Sequence, residues 1–168
     1  MKLCYAFIAS NFNYCSTVWH FCPKSGTIKM EKVRKAALGV VYNDYTTGYS
    51  ELLDMSNRTP LSLARLKSIM VEVFKCIRGL DPEFMNKLFV MDNKPYNTRS
   101  GSTVSLSQVK TIKYGIKSFA YQGARYWNLL PADVKEIEDL NEFKHYVNEW
   151  NGPLCHCGYC VTCAIKEL

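Results

Sequence analysis

Four cysteines crowd into one short segment of this sequence, at a density that suits metal binding. They follow the spacing C-x-C-x2-C-x2-C and are Cys155, Cys157, Cys160 and Cys163. Thiolates are soft ligands that favour zinc, and an intracellular cysteine-rich segment indicates metal more than disulfides. A structural zinc site usually takes its ligands from two separated pairs, whereas one short turn must supply all four here. We expect zinc at this segment; the alternatives are a partly liganded or intermolecular site and reduced free thiols.

Basic side chains form two groups, and both could contact the phosphates of a nucleic acid. The first group lies on a predicted amphipathic helix, where Lys29, Lys32 and Lys35 follow at intervals of three residues. The expected apolar face of this helix comprises Ile28, Val33, Ala37, Val40 and Val41. The second group borders a predicted aromatic helix and comprises Lys110, Lys113, Lys117 and Arg125. Arg99, in a polar loop, is a further candidate phosphate contact, and an ordinary solvated surface is the alternative for every one of these residues.

The acidic residues argue against catalysis by this chain. Nucleotidyl transfer uses two metal ions about 3.5–4 Å apart, which adjacent or facing carboxylates hold. The sequence contains no Asp-Asp pair, and its nearest approach, Asn43-Asp44, has the residues of a turn after a helix. Cys15 and His20 are close in sequence, but a buried structural cysteine is the favoured interpretation. We therefore predict no catalytic residue here.

The elements that carry these side chains are predicted to be nearly all helical. Apolar periodicity and terminal signals predict helices over 2–21 with a break near 11–13, 27–42, 49–55, 60–78, 82–89, 115–129 and 139–150. Residues 90–113 are rich in Asn, Ser, Thr and Gly, which predicts a long loop with a short extended arm at 103–107. Gly152-Pro153 separates the cysteine-rich tail at 151–168. The expected fold is a mainly α helical bundle.

Three segments of the sequence resemble those of a known protein family. Residues 114–131 read YGIKSFAYQGARYWNLLP, with an apolar stripe at helical spacing and a glycine at position 123 that leaves room for a close approach. Residues 12–19 read FNYCSTVW and are followed at 30–37 by MEKVRKAA, and residues 79–84 read GLDPEF. In their order along the chain, these blocks resemble the region downstream of the polymerase core in reverse transcriptases of LINE-type, non-LTR retrotransposons. The resemblance covers most of residues 1–150.

The resemblance implies a function for each region. Residues 1–89 would be thumb-like, 90–113 a linker and 114–150 the region that follows. Such a fragment would grip the RNA–DNA template–primer hybrid or target DNA, and the missing upstream polymerase core would supply the carboxylates and magnesium of the palm. Related retrotransposon proteins often end in a cysteine-rich segment, which agrees with zinc. The alternative function is a stand-alone helical module that binds nucleic acid or protein and has a zinc-binding tail.

Composition and charge agree with a folded domain that meets nucleic acid. The chain has 168 residues, 48% of them hydrophobic and 13% aromatic, which is enough to bury a core. The formal charge of +6 is modest, so its distribution matters more than its sum. The apolar run at 3–10 imitates a signal peptide but leads into no clean cleavage site. We expect an intracellular protein, with the nucleus as one location, and no membrane partner.

Overall fold

The computed structural model describes residues 10–16, 20, 22–92 and 102–152, and this part of the chain is mainly helical. Most of the helices are short, and two are long, with 19 and 17 residues. In chain order they are α1 (Ser10–Asn13), α2 (Lys24–Tyr42), α3 (Tyr49–Met55), α4 (Leu61–Ile77), α5 (Glu83–Asn86), a π-helical turn (Ile112–Ile116), α6 (Phe119–Asn128), α7 (Ala132–Glu136) and α8 (Leu140–Glu149). The prediction of a mainly α fold is confirmed.

The chain divides into two compact units, and the division falls inside α4, after Leu66. The first unit holds the described residues up to Leu66, and the second holds those from Lys67 onward. In the first unit α2 and α3 share a cluster of buried side chains, which are Leu38, Tyr49, Leu52 and Leu53. The regions predicted at 1–89, 90–113 and 114–150 stay predictions.

The second unit is built around aromatic side chains. The rings of Phe74 and Phe143 stack with their centroids 4.3 Å apart, and Trp127 lies 6.0 Å from Phe143 by the same measure. All three side chains are fully buried. Each comes from a different helix, α4, α6 or α8, so this cluster joins three helices of the unit.

Residues at helix ends act as their types predict. Gly79 has a φ of 71° just after α4, and Leu80 donates its amide to the carbonyl of Lys75, so the glycine ends the helix. The Asp139 carboxylate accepts from the amides of Asn141 and Glu142 at the start of α8. Local side-chain chemistry therefore determines where these helices begin and end.

Several helix predictions need correction. The helix expected at 82–89 spans Glu83–Asn86 only, and α7 was not predicted at all. The helix expected at 115–129 begins at Phe119, because Ser118 caps it by accepting from the amide of Tyr121, and a π-helical turn precedes it. Most residues of the helix expected at 2–21 lie outside the described ones. Helix α1 continues through the break expected at 11–13. Cys15, which follows α1, has a φ of 48° and is therefore not helical.

The extended arm is short and is held by a side-chain amide. Met91 and Val104 form an antiparallel bridge, in which Asp92 donates to the carbonyl of Thr103. On its other edge Val104 is bonded twice by Asn128, whose Oδ1 accepts from the Val104 amide at 2.8 Å and whose Nδ2 donates to its carbonyl at 2.9 Å. Asn128 therefore occupies the place that a third strand would take.

Gly123 allows the close approach that its position in α6 predicted, although the neighbouring atoms are side chains and not backbone. A Cβ at this position would lie 2.8 Å from Val73 Cγ2 and 3.0 Å from Phe89 Cζ. Both distances are shorter than normal carbon contacts. The glycine is therefore required for α4 and α6 to pack this closely.

Candidate nucleic-acid interface

Helix α2 carries the first group of predicted basic residues. It begins after Pro23 and ends where Asn43 takes the left-handed conformation, with φ 51° and ψ 40°. Asparagine tolerates this conformation better than most residues, so the helix stops at a sequence-specified point. Asp44 follows and donates its amide to the carbonyl of Gly39, as the predicted turn requires.

The charges of α2 are sorted between its interior and its surface. The helix contains Lys24, Lys29, Lys32, Arg34 and Lys35, and its single acidic residue is Glu31. Glu31 is fully buried at 0% exposure, whereas Lys29 and Lys32 are exposed and Lys35 is half-buried. The solvent-facing side of this helix therefore carries basic charge with no acidic residue of the helix beside it.

The buried carboxylate of Glu31 is held by three donors from two other elements. Its Oε2 accepts from the Tyr49 hydroxyl at 2.5 Å and from the amide of Leu61 at 3.3 Å, and its Oε1 accepts from the amide of Ser62 at 3.0 Å. The first amides of a helix have no partner within the helix, and a negative charge is favourable there. Glu31 therefore caps α4 from outside it, and this joins α2, α3 and α4.

Further ionisable groups lie in the same interior. Burial, and after it the charge of Glu31, raises the pKa of the Tyr49 hydroxyl far above its ordinary value. Burial lowers the pKa of Arg65, and the attraction of Glu31 opposes that change. Burial and the charge of Arg65 lower the pKa of His20 to about 4. His20 is therefore neutral at pH 7 and adds no charge to this region.

The predicted apolar face of α2 is wrong at two positions. Val33 and Val40 are 54% and 66% exposed, and Thr27 and Leu38 are buried with Glu31 instead. Thr27, Glu31 and Leu38 follow at intervals of four and seven residues, so they share one side of the helix. The need to cap α4 outweighs the greater hydrophobicity of the valines, and leaves them among the lysines on the surface.

Arg34 belongs to the fold and not to the candidate surface. Its guanidinium donates to the carbonyl of Thr59 at 2.9 Å, just before α4 begins. A guanidinium held in this way has fewer donors to offer a phosphate. The candidate surface of the first unit is therefore formed by Lys29, Lys32 and Lys35.

The second basic group lies in the second unit, on three successive segments. Lys110 precedes the π-helical turn, Lys117 follows it, and Arg125 lies on α6; all three are exposed. Arg125 and the buried Trp127 are two residues apart, so they lie on opposite sides of α6. The side chain of Lys113, in the π-helical turn, is not among the described parts of the molecule. Lys110, Lys117 and Arg125 therefore face solvent.

Other predicted sites lie outside the described residues. They are Arg99 and the four tail cysteines, Cys155, Cys157, Cys160 and Cys163. Within residues 10–16, 20, 22–92 and 102–152, no group of three or more His, Cys, Asp or Glu side chains is placed to hold a metal ion. Cys15, expected to be buried, is exposed. Cys76 is buried, and burial together with a hydrogen bond to Asp81 raises the pKa of its thiol to about 12.

Sequence reasoning missed the buried role of Glu31, although one signal was present. Glu31 is the single acid in a strongly basic helix and lies on the same side as Leu38, an apolar residue. In chemical terms α2 can attract phosphates at its surface, and it offers no nucleophile or general base there.

No described helix has the length and apolar character to cross a membrane. Comparison of the chain with protein-family models, with curated proteins and with solved structures finds no match.

Proposed function

We propose that this chain is a thumb-like, C-terminal part of a retrotransposon reverse transcriptase that grips the RNA–DNA template–primer hybrid and catalyses no reaction by itself. The observation that carries the proposal is the exposed basic side of α2, where Lys29 and Lys32 face solvent and the single carboxylate of the helix is buried. Phosphate backbones bind such surfaces through charge and without regard to sequence. The sequence resemblance of residues 12–37 and 114–131 supports the assignment to this family.

A protein partner is supported by a second observation. Around α5, in the second unit, four large apolar side chains are exposed: Leu80, Phe84, Leu88 and Val90. These four residues lie within one short stretch of sequence, and exposed apolar patches are typical of surfaces that meet another protein. In the proposed function that partner is the upstream polymerase core. The same residues favour the second candidate, a stand-alone helical module for nucleic acid or protein, and the reading frame upstream of Met1 discriminates between the two.

The direct test measures binding of the full chain to a short RNA–DNA hybrid across a series of salt concentrations. A handful of phosphate contacts gives a slope of log affinity against log salt of about −3 to −5, at roughly 0.9 per contact. Replacing Lys29 and Lys32 together by glutamine should flatten the slope by about 1.8 and weaken binding.

A matched control changes the same charge elsewhere. Lys87 and Lys144 are exposed in the second unit, outside the predicted binding residues, and their double replacement by glutamine should leave affinity and slope nearly unchanged. Equal effects of the two double variants would show that the protein binds through its net charge and not through α2. Unchanged binding in both would eliminate this surface.

The proposal also covers zinc binding by the cysteine-rich tail and the absence of polymerase activity. Cys155, Cys157, Cys160 and Cys163 bind one zinc ion, which stabilises the tail through the free energy of metal binding. Elemental analysis of reduced protein, after reconstitution with zinc, should give about one ion per chain. Magnesium-dependent primer extension should be absent, because the sequence offers no Asp-Asp pair. Extension by the purified chain would contradict the proposal.

A further inference from the structure

A tyrosine is displayed to solvent at the end of the basic helix. The Tyr45 side chain is 71% exposed, although its ring lies against α2. Its Cδ1 atom is 3.3 Å from the position that a Cβ of residue 39 would occupy, and Gly39 leaves this space empty. The edge of the ring therefore lies on the helix surface while most of the side chain faces water.

The backbone that carries Tyr45 is fixed on both sides. Before it, Asn43 ends the helix in the left-handed conformation and Asp44 donates to the carbonyl of Gly39. After it, the Asp44 carboxylate accepts from the amides and hydroxyls of Thr46 and Thr47. These bonds also lower the pKa of Asp44 well below its ordinary value, so the carboxylate is charged at neutral pH. A rigid turn reduces the conformational entropy that an aromatic contact costs on binding.

The ring is aligned with the lysines. Lys32, Lys35 and Gly39 are spaced by three and four residues, so the contact of Tyr45 with Gly39 lies on the same side of α2 as both lysines. Lys32 and Gly39 are seven residues apart, which is about 10 Å along the helix axis. A stacked strand advances about 3.4 Å per nucleotide, so this distance corresponds to roughly three nucleotides.

The two ends of this surface carry opposite charge, so they favour different parts of a nucleic acid. Lys29 and Lys32 attract phosphate, whereas Asp44 and the negative end of the helix dipole disfavour phosphate near Tyr45. An aromatic ring stacks on any base, because every base presents a π face. A base in the interior of a duplex is already stacked on both sides and is not available to the ring, whereas an unpaired base is.

We infer that Tyr45 is a stacking platform for an unpaired base, so that α2 binds a hybrid whose strand continues as a single-stranded extension. The lysines hold the phosphates of the duplex, and the first unpaired bases reach the exposed ring. This inference rests on the proposed function and narrows it to nucleic acids with a junction between paired and unpaired strands.

The test compares a blunt RNA–DNA hybrid with the same hybrid carrying an unpaired extension of about four nucleotides at either 3′ end, which covers the distance from Lys32 to Tyr45. Stacking of one base is expected to raise affinity roughly 5- to 150-fold over the blunt hybrid. An extension of abasic nucleotides, which keeps the phosphates, should give no such gain. Tyr45→Ala should remove the gain and leave blunt-hybrid binding and its salt slope unchanged, whereas Tyr45→Phe should retain it.

A second exposed tyrosine of the first unit provides the control. Tyr14 lies outside α2 and is also exposed, so Tyr14→Ala should preserve the gain from the extension. A gain that is absent in the natural chain, equal for the abasic extension or retained in Tyr45→Ala would overturn the stacking inference alone, provided that blunt-hybrid binding still depends on Lys29 and Lys32. Absence of any binding to either probe would overturn the inference and the proposed function together. Thermal unfolding of each variant checks that it is folded.

Discussion

The interiors of the two units differ in chemical kind. The second unit packs Phe74, Trp127 and Phe143 against one another, and none of these side chains carries charge. The first unit buries a carboxylate, Glu31, with a tyrosine hydroxyl and two backbone amides as its donors. Aromatic packing depends on shape and area, whereas a buried carboxylate depends on having every one of its hydrogen bonds.

This difference bears on function, because the polar interior lies directly beneath the candidate binding surface. A buried acid removes negative charge from the exposed side of α2 and at the same time joins the helix to α3 and α4. An apolar residue at position 31 could not cap α4. Phe74, Trp127 and Phe143 of the second unit carry no charge themselves, so substitutions at these three positions should alter stability without altering charge.

The largest expected effect is on the aromatic interior. Trp127→Ala should lower the free energy of unfolding by about 3–5 kcal/mol, because it empties a fully buried indole volume between α4, α6 and α8. Urea denaturation followed by far-UV circular dichroism measures the loss.

Trp127→Phe is the control for that change. Within the described residues the indole Nε1 has no hydrogen-bond partner, so phenylalanine removes a buried donor as well as some volume. Its cost should be clearly below that of alanine. Equal losses in the two variants would contradict the cavity explanation, because a phenylalanine ring fills part of the volume that alanine leaves empty.

Glu31→Ala should lower the free energy of unfolding by about 2–4 kcal/mol, because it leaves the Tyr49 hydroxyl and the amides of Leu61 and Ser62 without their acceptor. Amide exchange measured by NMR should show the first turn of α4 losing protection.

A double-mutant cycle with Tyr49→Phe tests whether the carboxylate is the cause. Once Glu31 is absent, removal of the tyrosine hydroxyl should cost much less than the roughly 1.5–3 kcal/mol expected in the natural chain. Strict additivity of the two changes would mean that the hydrogen bond between them contributes nothing.

Acid should weaken the first unit through His20. Its pKa is about 4 in the folded chain and 6.5 ordinarily, so between these values the unfolded chain binds a proton that the folded chain does not. The free energy of unfolding should therefore fall by about 1–3 kcal/mol as the pH falls from 6.5 to 4, and this loss should level off below pH 4. Urea titrations across this range measure it.

His20→Gln should remove this part of the pH dependence. Asp44 titrates in a different pH range, because its pKa is depressed. Its contribution to the free energy of unfolding is present above the ordinary pKa of aspartate and is lost at lower pH than the contribution of His20. An identical pH profile in the variant and the natural chain would exclude His20 as the titrating group.

The smallest effect is expected in the second unit, at the extended arm. Asn128→Ala removes both hydrogen bonds to Val104 and should cost about 1–2 kcal/mol, with faster exchange of the Val104 amide. Asn128→Asp keeps an acceptor for that amide but places a carboxylate oxygen against the Val104 carbonyl, so it should not restore stability. Unchanged exchange in both variants would show that the arm is held by the Met91 bridge instead.

Local signals in the sequence determined the helices and many of their ends. Gly79, Asp139 and Asn43 act through their own backbone or side-chain chemistry, which needs no distant partner. Apolar spacing likewise predicted the helix that is α4, in which Ile69, Val73 and Phe74 are buried. Lys29 and Lys32 are exposed and Lys35 is partly exposed, in keeping with the rarity of charged side chains buried without a partner.

Tertiary structure alone decided which side of α2 is buried. The helix has two sides that could be buried. One carries Val33 and Val40, and the other carries Thr27, Glu31 and Leu38. The sequence of the helix alone does not determine which of the two is buried. The free amides at the start of α4 and the hydroxyl of Tyr49 make burial of Glu31 favourable, and these groups are distant in sequence. The same choice exposes Val33 and Val40 among the lysines. The arrangement of this surface therefore depends on hydrogen bonds between helices, which no periodicity within one helix encodes.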